Sequence, residues 1–181
     1  MLLRLFTAIE LPEAIKSDLL GLQTTAPHIK WMPANQFHIT LNFLGNTEEQ
    51  RVSEIKEIIE KGVNGVGKIQ IKLTDIHVEK GRMIWVRVDE PLNKITDIHN
   101  KLENEFDHAK IGETPRKRNF RPHILLGKYK NGNFFAPDEP VAASARAHFK
   151  VTELEARSLS LFKSELLPTG AKHTELALIT F

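Results

Sequence analysis

The chain of 181 residues contains no cysteine, which excludes several classes of site. Without thiols there is no disulfide framework, no thiolate zinc site and no cysteine nucleophile. Long apolar runs are missing too, since the longest are the length of a strand, and the first residues show no pattern of basic, apolar and small regions. We therefore expect a cytoplasmic protein with no membrane segment.

Net charge is also small, because 25 basic and 23 acidic residues leave a formal charge of +2. The basic residues are unevenly distributed. Residues 116–130, RKRNFRPHILLGKYK, contain six lysines or arginines and no acid. This basic run surrounds His123 and favours a negatively charged ligand there. No HExxH motif or carboxylate cluster accompanies it, so we expect neither a metal nor another cofactor.

One order of predicted elements occurs twice along the chain. An alternating strand, a helix opened by a proline and a second strand follow one another in the first half, and the same series begins again at RMIWVRV. We predict one bilobal α+β domain over residues 1–181, built from approximate repeats 1–80 and 82–181. Such a duplication would place two equivalent strands on either side of a cleft.

Each of these equivalent strands carries a histidine. In FHITLNF, alternation places the apolar residues, Phe43 included, on one face and His38, Thr40 and Asn42 on the other. In PHILLG the same register puts His123 on the face opposite its apolar neighbours. We expect the two histidines to face each other across the cleft.

Two facing imidazoles suit the opening of a phosphodiester ring. Such a reaction removes a proton from attacking water and gives one to the departing alkoxide, and a histidine titrates near the pH at which both steps operate. The phosphoryl group needs countercharge, which Arg121 and Lys128 can supply, and Thr40 can donate a hydrogen bond from its hydroxyl.

These motifs resemble those of the two-histidine phosphoesterases, and within them the RNA 2′,3′-cyclic phosphodiesterases, long called 2′-5′ RNA ligases. That family carries two copies of His-apolar-Thr/Ser-apolar, matched here by HITLNFLG from His38 and RPHILLGK from Arg121. The segments RLFTAIELP and SELLPTGAKH are also similar to the family. The resemblance implies a bilobal α+β fold whose antiparallel sheets surround a positive groove, and hydrolysis of a 2′,3′-cyclic phosphate to a 2′-phosphomonoester.

The resemblance also implies roles for individual residues. His38 would be the proton donor, His123 the proton acceptor and Thr40 a phosphate ligand. Two positions depart from the family. Leu125 occupies the place of the second hydroxyl and cannot hydrogen-bond phosphate, and Lys128 stands where the family usually has an arginine, keeping the charge without the bidentate fork.

Three functions stay open on the sequence. The first is a monomeric, metal-independent phosphodiesterase acting on RNA or small nucleotides with 2′,3′-cyclic phosphate ends. The second is a 2′-5′ RNA ligase that runs the reverse reaction with the same histidines. The third, which Leu125 favours, is a non-catalytic RNA-binding module.

Aromatic residues could also stack on bases, and of Phe6, Trp31 and Tyr129 we select Phe6. The remaining histidines show no comparable pairing and receive no role; they are His28, His77, His99, His108, His148 and His173.

Overall fold

The computed structural model describes residues 1–79, 82–90, 93–112, 120–130, 140–168 and 170–181. Within these ranges the strands are β1 (Leu2–Glu10), β2 (Ile29–Trp31), β3 (His38–Glu48), β4 (Ile69–Glu79), β5 (Met83–Asp89), β6 (His123–Tyr129), β7 (Thr152–Ala156), β8 (Ser158–Leu167) and β9 (Gly170–Thr180). The α-helices are α1 (Glu13–Leu20), α2 (Val52–Val63), α3 (Lys94–His108) and α4 (Pro140–His148).

The strands form two antiparallel sheets. Sheet A has the order β3-β1-β8-β9, and sheet B has the order β2-β6-β5-β4-β7. The predicted α+β class with antiparallel sheets is confirmed. Each sheet takes strands from both halves of the chain, because β8 pairs with β1 in sheet A while β4 pairs with β5 in sheet B. The division into repeats 1–80 and 82–181 stays a prediction.

One apolar core runs through both sheets and the helices that cover them. Alternate residues of several strands enter it, such as Ile39 of β3, Ile84 of β5 and Ile124 of β6. Helix α3 packs on α2 and on β3, and α4 packs on β4. The histidines His38 and His123 lie on the opposite faces of their sheets, away from this core. None of the described helices is long and apolar enough to cross a membrane.

The two histidine strands share one exposure pattern. In β3 and in β6 the residues one, three and four places after the histidine are buried, and the residue five places after it is exposed. Two consecutive buried residues break strict alternation. The pairing of both strands shifts register at this point, between Phe6 and Ala8 for β1 with β3 and between Ile84 and Trp85 for β5 with β6. Each strand therefore carries a β-bulge that returns its fifth residue to the histidine face.

The bulge overturns two predictions made from alternation. Phe43 was expected in the core, yet it is 71% exposed and lies on the same face as His38. Asn42 was expected beside His38, yet it is 1% exposed and points the other way. There its amide donates to Glu103 Oε2 at 2.8 Å and to the backbone oxygen of His99 at 3.2 Å, so β3 is tied to α3.

Candidate active site

His38 is held at the start of β3, paired with Glu10 of β1. Its ring lies against Phe6 at a centroid distance of 5.1 Å, and it has a hydrogen bond with the backbone of Gln36, two residues earlier. Burial lowers the pKa of His38 to about 4, and the neighbouring positive groups of His173, Lys16 and His123 add to that effect. His38 is therefore neutral at pH 7 in the unliganded protein.

His123 begins β6 and is paired with Arg87 of β5. The imidazole is exposed, and its Nδ1 lies 2.8 Å from the carbonyl oxygen of Arg121, which is again two residues earlier. With Nδ1–H donating to that carbonyl, Nε2 is left for a substrate. Both histidines are thus oriented by the backbone just before their strands.

The structure brings the two histidines to one place. Strands β3 and β6 contact each other where the two sheets meet, and His123 is near enough to His38 to affect its pKa. That the two histidines face each other across a cleft stays a prediction.

The residues two places after the two histidines differ, since one is Thr40 and the other is Leu125. Thr40 is half-buried, pairs with the small Ala8, and its hydroxyl has no hydrogen-bond partner among the described residues. Leu125, at the same place in β6, is half-buried and pairs with the large Trp85. Of the two equivalent residues, Thr40 and Leu125, only Thr40 can hydrogen-bond a phosphate oxygen.

Positive charge is available on the His123 side. Lys128 is exposed, and the bulge places it on the face of His123; it forms no ion pair with any described residue. Arg121 is also exposed, beside the carbonyl that orients His123. Residues 116–119 of the predicted basic run lie outside the described residues.

A buried lysine with two more exposed carboxylate partners lies on the His38 side. The Lys16 ammonium is 3.2 Å from Glu10 and 2.9 Å from Glu13, and its side chain is 8% exposed. Burial lowers the pKa of Lys16, but the hydrogen bonds to Glu13 and Glu10 outweigh it, so the pKa is raised. This lysine stays charged and disfavours a second positive charge on His38.

Phe6 cannot stack on a base as predicted. It is 3% exposed, because its ring is covered by His38, by Phe162 at 5.2 Å and by His173 at 4.9 Å. Its contacts instead support the His38 imidazole. Tyr129, another suggested stacking residue, is also buried and lies against His28.

His173 is a site residue that the sequence interpretation missed. Its ring lies edge-on to His38 at 5.6 Å, and its Nδ1 is buried with no described hydrogen-bond partner. Burial and the charge of Arg4 lower its pKa. Nearby, the Gln36 amide donates to the Ala171 carbonyl oxygen at 2.6 Å and joins β9 to the turn that precedes the His38 strand. The only sequence signal was the position of His173 at the end of SELLPTGAKH.

Among the described residues, no group of three or more histidine, cysteine or acidic side chains could hold a metal ion. The chemistry available at the site is that of two imidazoles, one hydroxyl and nearby lysine and arginine cations.

The sequences and the family model that match this chain are all described as phosphoesterases or phosphodiesterases. The family described as LigT like phosphoesterase matches residues 9–85, a segment that contains His38 and ends before His123. A protein of Methanothermobacter thermautotrophicus named RNA 2′,3′-cyclic phosphodiesterase is 24% identical and aligns over 97% of each chain. One of Thermotoga maritima with the same name is 27% identical over 93% of this chain and 90% of that protein.

Solved structures share the fold. E. coli LigT in complex with 3′-AMP matches with a TM-score of 0.79 at 18% identity, over 100% of this chain and 99% of that one. TT0787 of Thermus thermophilus matches with a TM-score of 0.74 at 21% identity, over 98% of this chain and 97% of that one.

Proposed function

We propose that the chain is an RNA 2′,3′-cyclic phosphodiesterase, a member of the LigT-like phosphoesterases of the two-histidine superfamily. The observation that carries the proposal is the pair His38 and His123, each oriented by the backbone two residues earlier, on two strands that meet. The relatives with that name align over nearly the whole chain, which supports the substrate class.

The proposed reaction needs one base and one acid. One imidazole takes a proton from water as the water oxygen attacks phosphorus. The bond from phosphorus to the 3′ oxygen breaks, and the other imidazole gives that oxygen a proton. The product is a 2′-phosphomonoester with a free 3′ hydroxyl. A positioned acid or base typically contributes about 10²- to 10⁴-fold to such a step.

We keep the division of roles that the resemblance implies, with His38 as the donor and His123 as the acceptor. His38 is neutral in the unliganded protein, so it must gain a proton before it can act as the acid. A bound cyclic phosphate brings a negative charge beside the ring and favours the imidazolium form. Substrate binding thus raises the pKa of the group that has to donate the proton.

The phosphate would be held unequally by the two lobes. The Thr40 hydroxyl donates from sheet A, while Lys128 and Arg121 supply charge from the side of sheet B. Hydrogen-bond donors and cations that are in place before the reaction stabilise the charge that develops on phosphorus oxygens.

Product identity tests the proposal. An oligoribonucleotide ending in a 2′,3′-cyclic phosphate is incubated with the protein in the presence of a chelator, and the product is identified by phosphorus NMR. We expect the 2′-phosphomonoester. A 3′-phosphate product, or no product at any protein concentration, would contradict the proposal.

Leu125 favours a second candidate, a non-catalytic RNA-binding module, because one phosphate anchor is missing. Such a module would bind RNA with an affinity that falls steeply with salt, since phosphate neutralisation dominates. Replacing His38 would leave that affinity nearly unchanged, whereas in the phosphodiesterase it abolishes turnover.

A further inference from the structure

His99 of helix α3 lies between β3 and the segment that leads into β6. The imidazole is half-buried, and it contacts the backbone of β3 on one side and the ring of Phe120 on the other. Its helix is anchored in the core by four buried apolar residues, Ile95, Ile98, Leu102 and Phe106. His99 therefore joins, through one rigid helix, the two parts of the chain that carry His38 and His123.

The contact with β3 is made at its bulge. There Leu41 and Asn42 together oppose Thr7 of β1, so the regular ladder of backbone hydrogen bonds is interrupted. Side chains satisfy the backbone groups instead. The backbone N–H of Asn42 donates to Thr7 Oγ1 at 3.0 Å, and the carbonyl oxygen of Leu41 lies 3.0 Å from His99 Nδ1. Since Leu41 directly follows Thr40, the His99 contact fixes the backbone next to the proposed phosphate ligand.

The proton of the His99 ring lies on Nδ1. A carbonyl oxygen can only accept, so the contact with Leu41 requires Nδ1–H as the donor. The Asn42 amide nitrogen is also 3.1 Å from Nδ1, but its two protons have other acceptors, Glu103 Oε2 and the His99 carbonyl oxygen. Burial lowers the pKa of His99, against the opposing effects of the Leu41 carbonyl and Glu103. The neutral ring thus holds the bulge with a single, oriented donor.

The contact with Phe120 leads to the other histidine strand. The two rings are stacked, with centroids 3.9 Å apart and planes inclined by 13°. Phe120 directly precedes Arg121, whose carbonyl oxygen orients His123 Nδ1. Arg121 is followed by Pro122, which restricts the backbone of both residues and makes this short connection stiff. A displacement of the Phe120 ring would therefore be passed on to His123.

We propose that His99 is a positioning residue that sets the distance between the His38 and His123 imidazoles, because one ring holds both the bulge of β3 and the segment before β6. The inference rests on the proposed phosphodiesterase function. Acid–base catalysis by two groups depends on their placement around one phosphorus atom. A misplacement of about 1 Å can slow such a reaction about 10²-fold.

Kinetics at saturating 2′,3′-cyclic phosphate substrate tests each half of this connection. His99→Phe keeps a ring against Phe120 and removes the Nδ1–H donor, whereas Phe120→Leu keeps apolar volume and removes the stacked ring. We expect either variant to lower kcat about 10-fold or more. The double variant should be hardly slower than either single variant, because both break the same connection. Phe120→Tyr keeps the ring and should retain nearly full kcat.

His28→Gln is the matched control, because His28 is also a half-buried histidine stacked on an aromatic ring, that of Tyr129 at 6.0 Å. Tyr129 ends β6, whereas His123 begins it. We expect this variant to keep the wild-type kcat, whatever its effect on the urea midpoint. The proposal is overturned if His99→Phe also changes the urea midpoint alone, or if the two losses multiply fully in the double variant. Where His99→Phe does not fold, the contrast between Phe120→Leu and Phe120→Tyr decides.

A distance measurement separates this inference from the proposed activity. Because the chain has no cysteine, Asn46→Cys on β3 and Lys72→Cys on β4 place one nitroxide label on an exposed residue of each sheet. Electron paramagnetic resonance should show a shifted or broader distance distribution for His99→Phe and no change for His28→Gln. A changed distance without turnover by the otherwise native protein would contradict the phosphodiesterase and keep the positioning role. Turnover with unchanged distance and unchanged kcat in His99→Phe would do the reverse.

Discussion

The two lobes present the same backbone and different side chains to the site. Three positions correspond through the common bulge: His38 with His123, Thr40 with Leu125, and Phe43 with Lys128, the last pair both exposed. The partners on the adjacent strands differ as well, with Glu10 and Ala8 in sheet A and Arg87 and Trp85 in sheet B.

The comparison distinguishes the groups that both histidine strands supply to the proposed reaction from the groups that only one of them supplies. Both lobes keep the imidazole and the backbone carbonyl that orients it. The hydroxyl is found in one lobe and the exposed lysine in the other. Acid–base catalysis requires a pair of proton-transfer groups, whereas the phosphate can be held from one side.

The largest effect outside the histidines is expected at Thr40. Thr40→Val keeps the shape and removes the hydroxyl, and we expect kcat to fall about 10²-fold, the usual effect of losing one preorganised donor. Thr40→Ser should stay near wild type. The matched change in the other lobe, Leu125→Val, should have little effect on kcat, and equal losses from both would contradict the unequal holding of the phosphate.

Burial of His38 makes stability depend on pH. Its pKa is about 4 in the folded protein against the ordinary histidine value of 6.5, so between these values the unfolded chain binds a proton that the folded chain does not. Stability should therefore fall as pH drops from about 6.5 to about 4, by on the order of 3 kcal/mol. Chemical denaturation at a series of pH values measures this slope.

His38→Gln should flatten that slope, because the variant has no titrating group at this position. His123→Gln, at the exposed counterpart, is the matched control. If the two variants flatten the slope equally, burial at the His38 position is not its cause.

Disturbing either bulge should destabilise the protein, for a different reason in each strand. Asn42→Ala removes an amide with several buried hydrogen bonds, and we expect a loss of about 2 kcal/mol in the free energy of unfolding. The matched residue is Gly127, where an added Cβ would lie 2.8 Å from the Trp31 ring. Gly127→Ala should cost about 1–3 kcal/mol by overpacking. Urea titration of both variants would contradict this explanation if neither shifts the midpoint.

The smallest expected effect is an increase in kcat. Leu125→Thr restores a second hydroxyl, and one additional hydrogen bond of about 1 kcal/mol would raise kcat up to roughly 5-fold. Steady-state kinetics on a 2′,3′-cyclic phosphate substrate measures this increase in kcat. An unchanged or lower kcat would contradict the interpretation of Leu125 as a missing phosphate anchor.

The sequence predicted the histidine pair because its signal is local and repeated. Each histidine begins a strand whose next residues alternate, and alternation holds as far as Thr40 and Leu125. It fails at Asn42 and Phe43, because a bulge adds one residue to one strand only. A bulge depends on how two strands pair, and the pattern of a single strand does not record it.

Pairing between distant strands explains the other differences. His173 reaches His38 because β9 joins β8, and β8 joins β1. Trp85 reaches His123 because β5 and β6 are neighbours in sheet B. Phe6 was chosen as an accessible aromatic, but the pairing of β1 with both β3 and β8 buries it beneath His38. These contacts are set by topology rather than by local pattern.

The most direct test of the central claim is a double-mutant comparison of kcat/KM on a 2′,3′-cyclic phosphate substrate for wild type, His38→Ala, His123→Ala and the double variant. Groups that act as one unit are strongly non-additive. We predict that each single variant is slower by about 10²-fold or more, and that the double variant is hardly slower than either single variant. A single variant that keeps nearly full activity would contradict the account, as would losses that multiply fully in the double variant.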